Sequence, residues 1–189
     1  MIYCVDLDGT LIKNDMSVTS FFSTILKKPL MLCQCYKWHK EGGRARLKYF
    51  LGEGYSFNVE DLQFNTQLVD FLREAAANPE NSVYLVSGST QSIVNKIAGY
   101  FDFFKEGFGS SLEVNLTGRN KLELMKKYFG ENSNICYIGN ARVDFKVWRG
   151  TQSGMVVSSS KCFIKKAREC TDITRVFPAE FARLPCPGA

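Results

Sequence analysis

The chain has 189 residues, 45% of them hydrophobic and 23% charged; this fits one domain, or one with a modest insertion, and excludes a disordered, collagen-like or coiled-coil chain. No apolar run approaches the roughly 20 residues that cross a bilayer, and the apolar start Ile2-Tyr3-Cys4-Val5 runs straight into Asp6 and Asp8, which argues against a cleaved signal. The net charge of +5 is uneven, because Lys27, Lys28, Lys37, Lys40, Arg44, Arg46 and Lys48 meet only Glu41 between residues 27 and 48.

In chain order, Ile2 to Val5 reads as a buried strand that ends in the turn Asp6-Leu7-Asp8-Gly9-Thr10. Residues 16 to 58 read as a small helical insertion. Its helices cover Phe21 to Leu26 and Leu30 to His39, parted by Pro29, with Gly42-Gly43 and Gly52 to Gly54 as punctuation. The core, residues 1–15 and 59–189, resumes with a helix over Val59 to Ala77. A strand over Ser82 to Val86 follows, closed by Ser87-Gly88-Ser89, then helices over Gln91 to Tyr100 and Lys121 to Phe129. Two more strands cover Ile135 to Ile138, closed by Gly139-Asn140, and Met155 to Val157. In the tail, a helix spans Phe163 to Glu169, Ile173 to Phe177 completes the sheet edge, and Pro185 and Pro187 end the ordered structure. Strands alternating with helices predict an α/β fold with a parallel sheet covered on both faces. In such folds ligands bind beyond the carboxyl ends of the strands.

The polar signals collect at those ends. Asp6 and Asp8 leave the first strand two residues apart, so both carboxylates can face one volume, and Gly9 lets the backbone approach an anion. This pattern suits phosphoryl transfer: Asp6 attacks phosphorus to form an aspartyl phosphate, and Asp8 acts as general acid and then base. Carboxylates and a phosphate in one crevice repel each other, so a hard cation is expected. Magnesium is the natural choice, held by Asp6, Asp8, Asn140 and Asp144. Gly9, Thr10, Ser87 and Gly88 are the expected phosphate holders, and Lys121 balances the charge of Asp6 and of the transferring group. Taken singly, each has a plainer reading as a turn, cap or surface residue. Their joint occurrence in this order is what points to chemistry.

The segment YCVDLDGTLIKND resembles the first motif of the haloacid dehalogenase (HAD) superfamily. LVSGS is similar to the second motif, Lys121 in GRNKLEL to the third and YIGNARVD to the fourth. LIKND, GRARLKYFL and YIGNARVDFKVW further resemble the soluble phosphatase-like domain found ahead of some prenyltransferases of the ubiquinone-biosynthesis type. The resemblance implies a Rossmann-like sheet, a helical cap inserted after the first strand, and magnesium-dependent phosphomonoester hydrolysis through Asp6. Asp8, two past the nucleophile, implies a phosphatase or phosphotransferase rather than a dehalogenase or an ion-pumping ATPase. One position departs from the pattern, since the fourth motif commonly reads Gly-Asp and here reads Gly139-Asn140. That removes a negative charge from the metal site and keeps open a second reading, a catalytically weak binding or regulatory module.

The insertion mixes its basic residues with Tyr36, Trp38, Tyr49, Phe50, Tyr55 and Phe57. Two readings stand side by side: a lining for an aryl or lipid leaving group, or packing of the insertion's own core. The substrate is accordingly a phosphorylated protein carrying phosphotyrosine, a lipid phosphate or a small metabolite. A nucleic-acid partner is not expected, and weak contact of the basic insertion with an anionic membrane is. The single histidine, His39, reads as a surface residue. The 7 cysteines form no CxxC pair and read as reduced thiols of a cytoplasmic protein.

Overall fold

Apolar side chains on both faces of short strands dictate a sheet buried on both sides. In the computed structural model, which describes residues 1–184, six strands meet that condition. They are β1 (Ile2–Val5), β2 (Ser82–Thr90), β3 (Phe104–Ser110), β4 (Ile135–Gly139), β5 (Ser153–Val157) and β6 (Asp172–Phe177). Their order is β3-β2-β1-β4-β5-β6 and every neighbouring pair is parallel. The helices are α1 (Met16–Lys27), α2 (Met31–Glu53), α3 (Thr66–Ala77), α4 (Gln91–Ala98), α5 (Arg119–Phe129), α6 (Phe145–Trp148) and α7 (Lys161–Arg168). This is a Rossmann-like α/β fold, as the alternation predicts.

Residue parity assigns the two cores. Val5, Val83, Leu85, Cys136, Ile138 and Met155 pack against Leu68, Leu72, Ile93 and Ile97 of α3 and α4. Cys4, Val86, Ile135, Tyr137 and Val156 point the other way, to Met125, Trp148 and Ala167 of α5, α6 and α7. The chain runs outward from β1 through β2 to β3, then α5 carries it back to β4 on the opposite side of β1. The β1–β4 pair is therefore the point where the strand order reverses, and the crevice opens there.

Several elements differ from their predicted extents for identifiable reasons. The helix predicted over Val59 to Ala77 splits into a 3-10 turn, Val59–Asp61, and α3. Between them Phe64 bridges Ile12 and Ala182, and the Asn65 side chain caps α3 by accepting from Leu68 N at 3.0 Å. α1 starts early because Asp15 caps it at Ser17 N and Val18 N, and α2 runs well past His39 to Glu53, broken only at Gly42 and Gly43. β2 continues through Ser87-Gly88-Ser89 to Thr90, which pairs with Ser110 of β3. β3 itself was not expected. A Cβ on its Gly107 would sit 2.8 Å from the Val94 side chain, so the glycine is there to let α4 approach. At the far edge β6 covers Ile173 to Phe177 as predicted. The ends expected at Pro185 and Pro187, and Cys186, lie outside the described residues. The other six cysteines carry no disulfide, and no helix among the described residues is long and apolar enough to cross a membrane.

Candidate active site

Register brings the key residues together. Val5 lies opposite Leu85 of β2 and Ile138 of β4, so Asp6 leaves the sheet between those strands, with its N–H donating to the Ile138 carbonyl at 2.9 Å. From the adjoining helix α5, Lys121 extends its Nζ to Asp6 Oδ1 at 2.8 Å, a buried ion pair. The same Nζ donates to the Tyr137 hydroxyl at 2.7 Å, and that hydroxyl donates to Asp144 Oδ1 at 2.9 Å. Asp144 Oδ2 accepts from the backbone N–H groups of Asn140 and Ala141. A continuous buried chain therefore runs Asp6–Lys121–Tyr137–Asp144 and fixes the loop after β4 relative to the loop after β1.

Asp8 turns toward the end of β2. Its Oδ1 accepts from Met16 N at 2.7 Å, and its Oδ2 accepts from Ser89 Oγ at 2.8 Å and Ser87 Oγ at 3.2 Å. Burial raises the Asp8 carboxyl above its ordinary value, opposed by the Met16 N–H and the Ser89 hydroxyl. For Asp6, burial pushes the carboxyl up to about 7 against the pull of the Lys121 ammonium, and the charges of Asp144 and Asp8 add to the rise. Burial, with the neighbouring Asp144 and Asp6, also holds the Tyr137 phenol well above its usual range, so it stays a donor.

A cavity of about 180 Å³ opens on these groups. Asp6, Asp8, Gly88 and Lys121 line it, joined by residues that sequence reading did not single out as site residues: Asp15, Ser17, Lys48, Thr117, Gly118, Ala141 and Val143. Lys48 is the most informative of these. It comes from the part of α2 beyond the Gly43 break, and its Nζ donates to the Gly88 carbonyl at 3.2 Å. It lies within the segment GRARLKYFL, where nothing local marks the lysine as facing the crevice. Three carboxylates against two ammonium groups leave this cavity short of positive charge for a phosphate dianion.

Other expected residues sit elsewhere. Thr10 and Ser87 are fully buried and outside the cavity lining; the Ser87 hydroxyl is bonded to Asp8, and Thr10 Oγ1 lacks a partner among the described residues. Gly9 adopts a φ of 73°, and a Cβ there would lie 2.2 Å from Asn140 Nδ2. Trp38 stacks on Phe50 with centroids 4.7 Å apart, Tyr49 meets Phe50 edge-on, Tyr55 stacks on Phe57, and none of the insertion's aromatic rings lines the cavity.

The expected metal ligands, Asp6, Asp8, Asn140 and Asp144, do not form one donor cluster. No group of three carboxylate, histidine or cysteine side chains among the described residues is placed to hold a metal. Both oxygens of Asp8 and of Asp144 are already bonded. Two oxygens remain suited to a hard cation: Asp6 Oδ2, and Asn140 Oδ1, which is buried without a hydrogen-bond partner among the described residues. One carboxylate and one amide oxygen fit magnesium, which usually keeps several waters and takes further oxygens from a phosphate.

No protein-family model matches the chain. It is 32% identical over 165 residues to the uncharacterized protein y4nM of Sinorhizobium fredii, covering 87% of this chain and 31% of that protein. The chain thus spans about a third of the length of the curated relative it matches. Among solved structures it is similar to a haloacid dehalogenase-like family hydrolase from Streptococcus pneumoniae, with TM-score 0.56, 14% identity and 95% and 93% of the two chains covered. It is likewise similar to phosphoserine phosphatase in apo form, with TM-score 0.59, 13% identity and 93% and 92% coverage. A phospho-aspartyl intermediate analogue of phosphoserine phosphatase gives TM-score 0.54, 15% identity and 93% and 92% coverage. At these identities the likeness shows a shared HAD-like fold.

Proposed function

We propose that the chain is a HAD-type phosphatase that hydrolyses small phosphomonoesters through an aspartyl phosphate on Asp6. The observation that carries this reading is the buried Asp6–Lys121 pair at the strand-order reversal, facing a cavity that Asp8 also lines. In the first step an Asp6 oxygen bonds to phosphorus, the bond from phosphorus to the ester oxygen breaks, and the Asp8 carboxyl gives its proton to that leaving oxygen. In the second, Asp8 takes a proton from water as the water oxygen bonds to phosphorus and the acyl phosphate bond breaks, releasing phosphate and restoring Asp6. The raised carboxyl of Asp8 suits the acid role, and the Ser87 and Ser89 hydroxyls can rotate to accept from it while it is protonated. Lys121 and Lys48, both in the cavity lining, offset the phosphoryl charge.

Magnesium bound by Asp6 and Asn140 would neutralise phosphate oxygens and let a dianion enter beside the carboxylates. The insertion carrying α1 and α2 acts as a cap, since it supplies Ser17 and Lys48 to the lining. A cavity of about 180 Å³ with no aromatic wall favours a small non-aromatic ester over phosphotyrosine. The motif likeness to domains that precede prenyltransferases is part of the same proposal, and the chain's 31% share of its relative accords with a domain of a longer protein.

The test is hydrolysis of a panel of sugar, amino-acid, lipid and aryl phosphates, with magnesium, with chelator, and for Asp6→Asn. Magnesium-dependent release that drops on the order of a thousandfold or more in the variant supports the reading. The uncharged Asn140 oxygen favours a second reading, a module that binds phosphate without turnover. Phosphate or magnesium binding with no hydrolysis across the panel would establish it in place of the first.

A further inference from the structure

The four most exposed large apolar side chains of the described residues, Leu30, Leu26, Tyr36 and Phe22, all lie on the α1–α2 hairpin. Val18, Phe22 and Leu26 form a stripe at four-residue spacing along α1, 50%, 58% and 82% exposed. At the tip Leu30 is 91% exposed, followed by Leu32 and Tyr36 on α2. Lys27 and Lys28 stand between the two outermost leucines, and Lys37 and Lys40 follow along α2. From residue 16 to residue 40 there is no acidic side chain. Glu41 is engaged with Lys37 and Arg46, so it does not face this surface alone, and Arg46, half-buried over Phe50, is withdrawn from it.

We infer that the α1–α2 tip is a peripheral docking surface for anionic lipid bilayers. Protruding single leucines bracketed by lysines suit insertion to interfacial depth, with the ammonium groups left at the level of the phosphates. An open, mainly apolar cleft of about 610 Å³ at the same tip, lined by Pro29, Leu30 and Met31 together with Lys28 and Lys37, suits an acyl chain beneath an anionic headgroup. The complete lack of acidic groups over this stretch removes the repulsion that an anionic surface would otherwise feel. This inference does not depend on the catalytic proposal, because none of the residues named lines the Asp6 cavity.

The test is flotation of the 189-residue chain with vesicles of equal parts phosphatidylcholine and phosphatidylglycerol, against pure phosphatidylcholine. The chain floats with the anionic vesicles only, and added salt releases it. Lys27→Glu/Lys28→Glu lowers vesicle affinity roughly thirtyfold or more. Leu26→Ser/Leu30→Ser abolishes flotation, while Leu112→Ser/Val114→Ser, at exposed apolar positions away from the hairpin, floats like the parent. Circular dichroism melts that match the parent show that the exposed substitutions leave the fold intact. No flotation of the parent, equal flotation on neutral vesicles, or unchanged flotation of the leucine variant would each overturn the inference. Capture of a poly-glutamate peptide without any vesicle binding would overturn it in favour of an acidic protein partner.

Discussion

At the scale of single residues, the buried chain from Asp6 to Asp144 depends on a phenol that strand alternation hides. Tyr137 sits in the middle of β4 with both neighbours buried, and its ring faces Trp148, so it reads as an ordinary core aromatic. Its hydroxyl nevertheless joins Lys121 to Asp144. Tyr137→Phe keeps the ring and removes the bridge, leaving an acceptor and an ammonium each one partner short in a buried place. It is expected to cost about 1–3 kcal/mol in urea unfolding. It should also lower kcat more than it changes KM, because the phenol positions Lys121 without touching substrate. An unchanged kcat would show that the lysine is held by Asp6 alone. By contrast, Asp6, Asp8, Lys121 and Asp144 were legible in the sequence, because each lies at a short fixed distance from a strand end or a helix start. Ser89, which shares Asp8 with Ser87, was passed over as the last residue of a turn.

At the scale of elements, two features position the cavity walls. The turn after β1 needs Gly9, whose φ of 73° disfavours a side chain and whose missing Cβ leaves room for Asn140. Gly9→Ala is therefore expected to destabilise the fold by about 1–2 kcal/mol and to push the Asn140 amide away. Magnesium affinity measured by calorimetry should fall with it; an unaltered affinity would remove Asn140 as a ligand. Beside β2, the break at Gly42 and Gly43 reorients α2 so that Lys48 reaches Gly88. Lys48→Met is expected to raise KM for a phosphomonoester roughly tenfold with kcat changed less, and an effect on kcat alone would place Lys48 in the chemical step. The glycine pair was visible in the sequence as punctuation, but the destination of Lys48 was not. It depends on how α2 packs on the end of β2, where Gly52 lies against Thr90, and no local pattern encodes that. β3 was hidden for a similar reason, since its glycines answer to α4 and not to strand propensity.

At the scale of the whole molecule, the fold buries carboxylates that ionise readily once the chain unfolds. Asp6 is raised from 3.8 to about 7 by burial, so the folded protein holds a proton that the unfolded chain has lost. Its stability must then fall as pH rises from about 4 to about 7, and the Asp8 shift has the same sign. Without added metal, Asp6→Asn should gain on the parent by on the order of 2–4 kcal/mol across that window in denaturant titrations. A difference that stays flat with pH would mean that Asp6 is ionised throughout. The strands and their alternation with helices made the sheet itself readable, because a doubly covered parallel sheet needs continuous apolar runs and the sequence supplies them at β1, β2, β4 and β5.

The covalent step is the central claim, and trapping it is the most direct test. The chain would be mixed with its best phosphomonoester and magnesium, quenched within the turnover time, reduced with borohydride and mapped by peptide mass spectrometry. The account predicts that the acyl phosphate is reduced at position 6 alone, converting Asp6 to homoserine, and that the signal is absent without substrate. Turnover with the label on another side chain, or turnover that persists in Asp6→Asn, would contradict it.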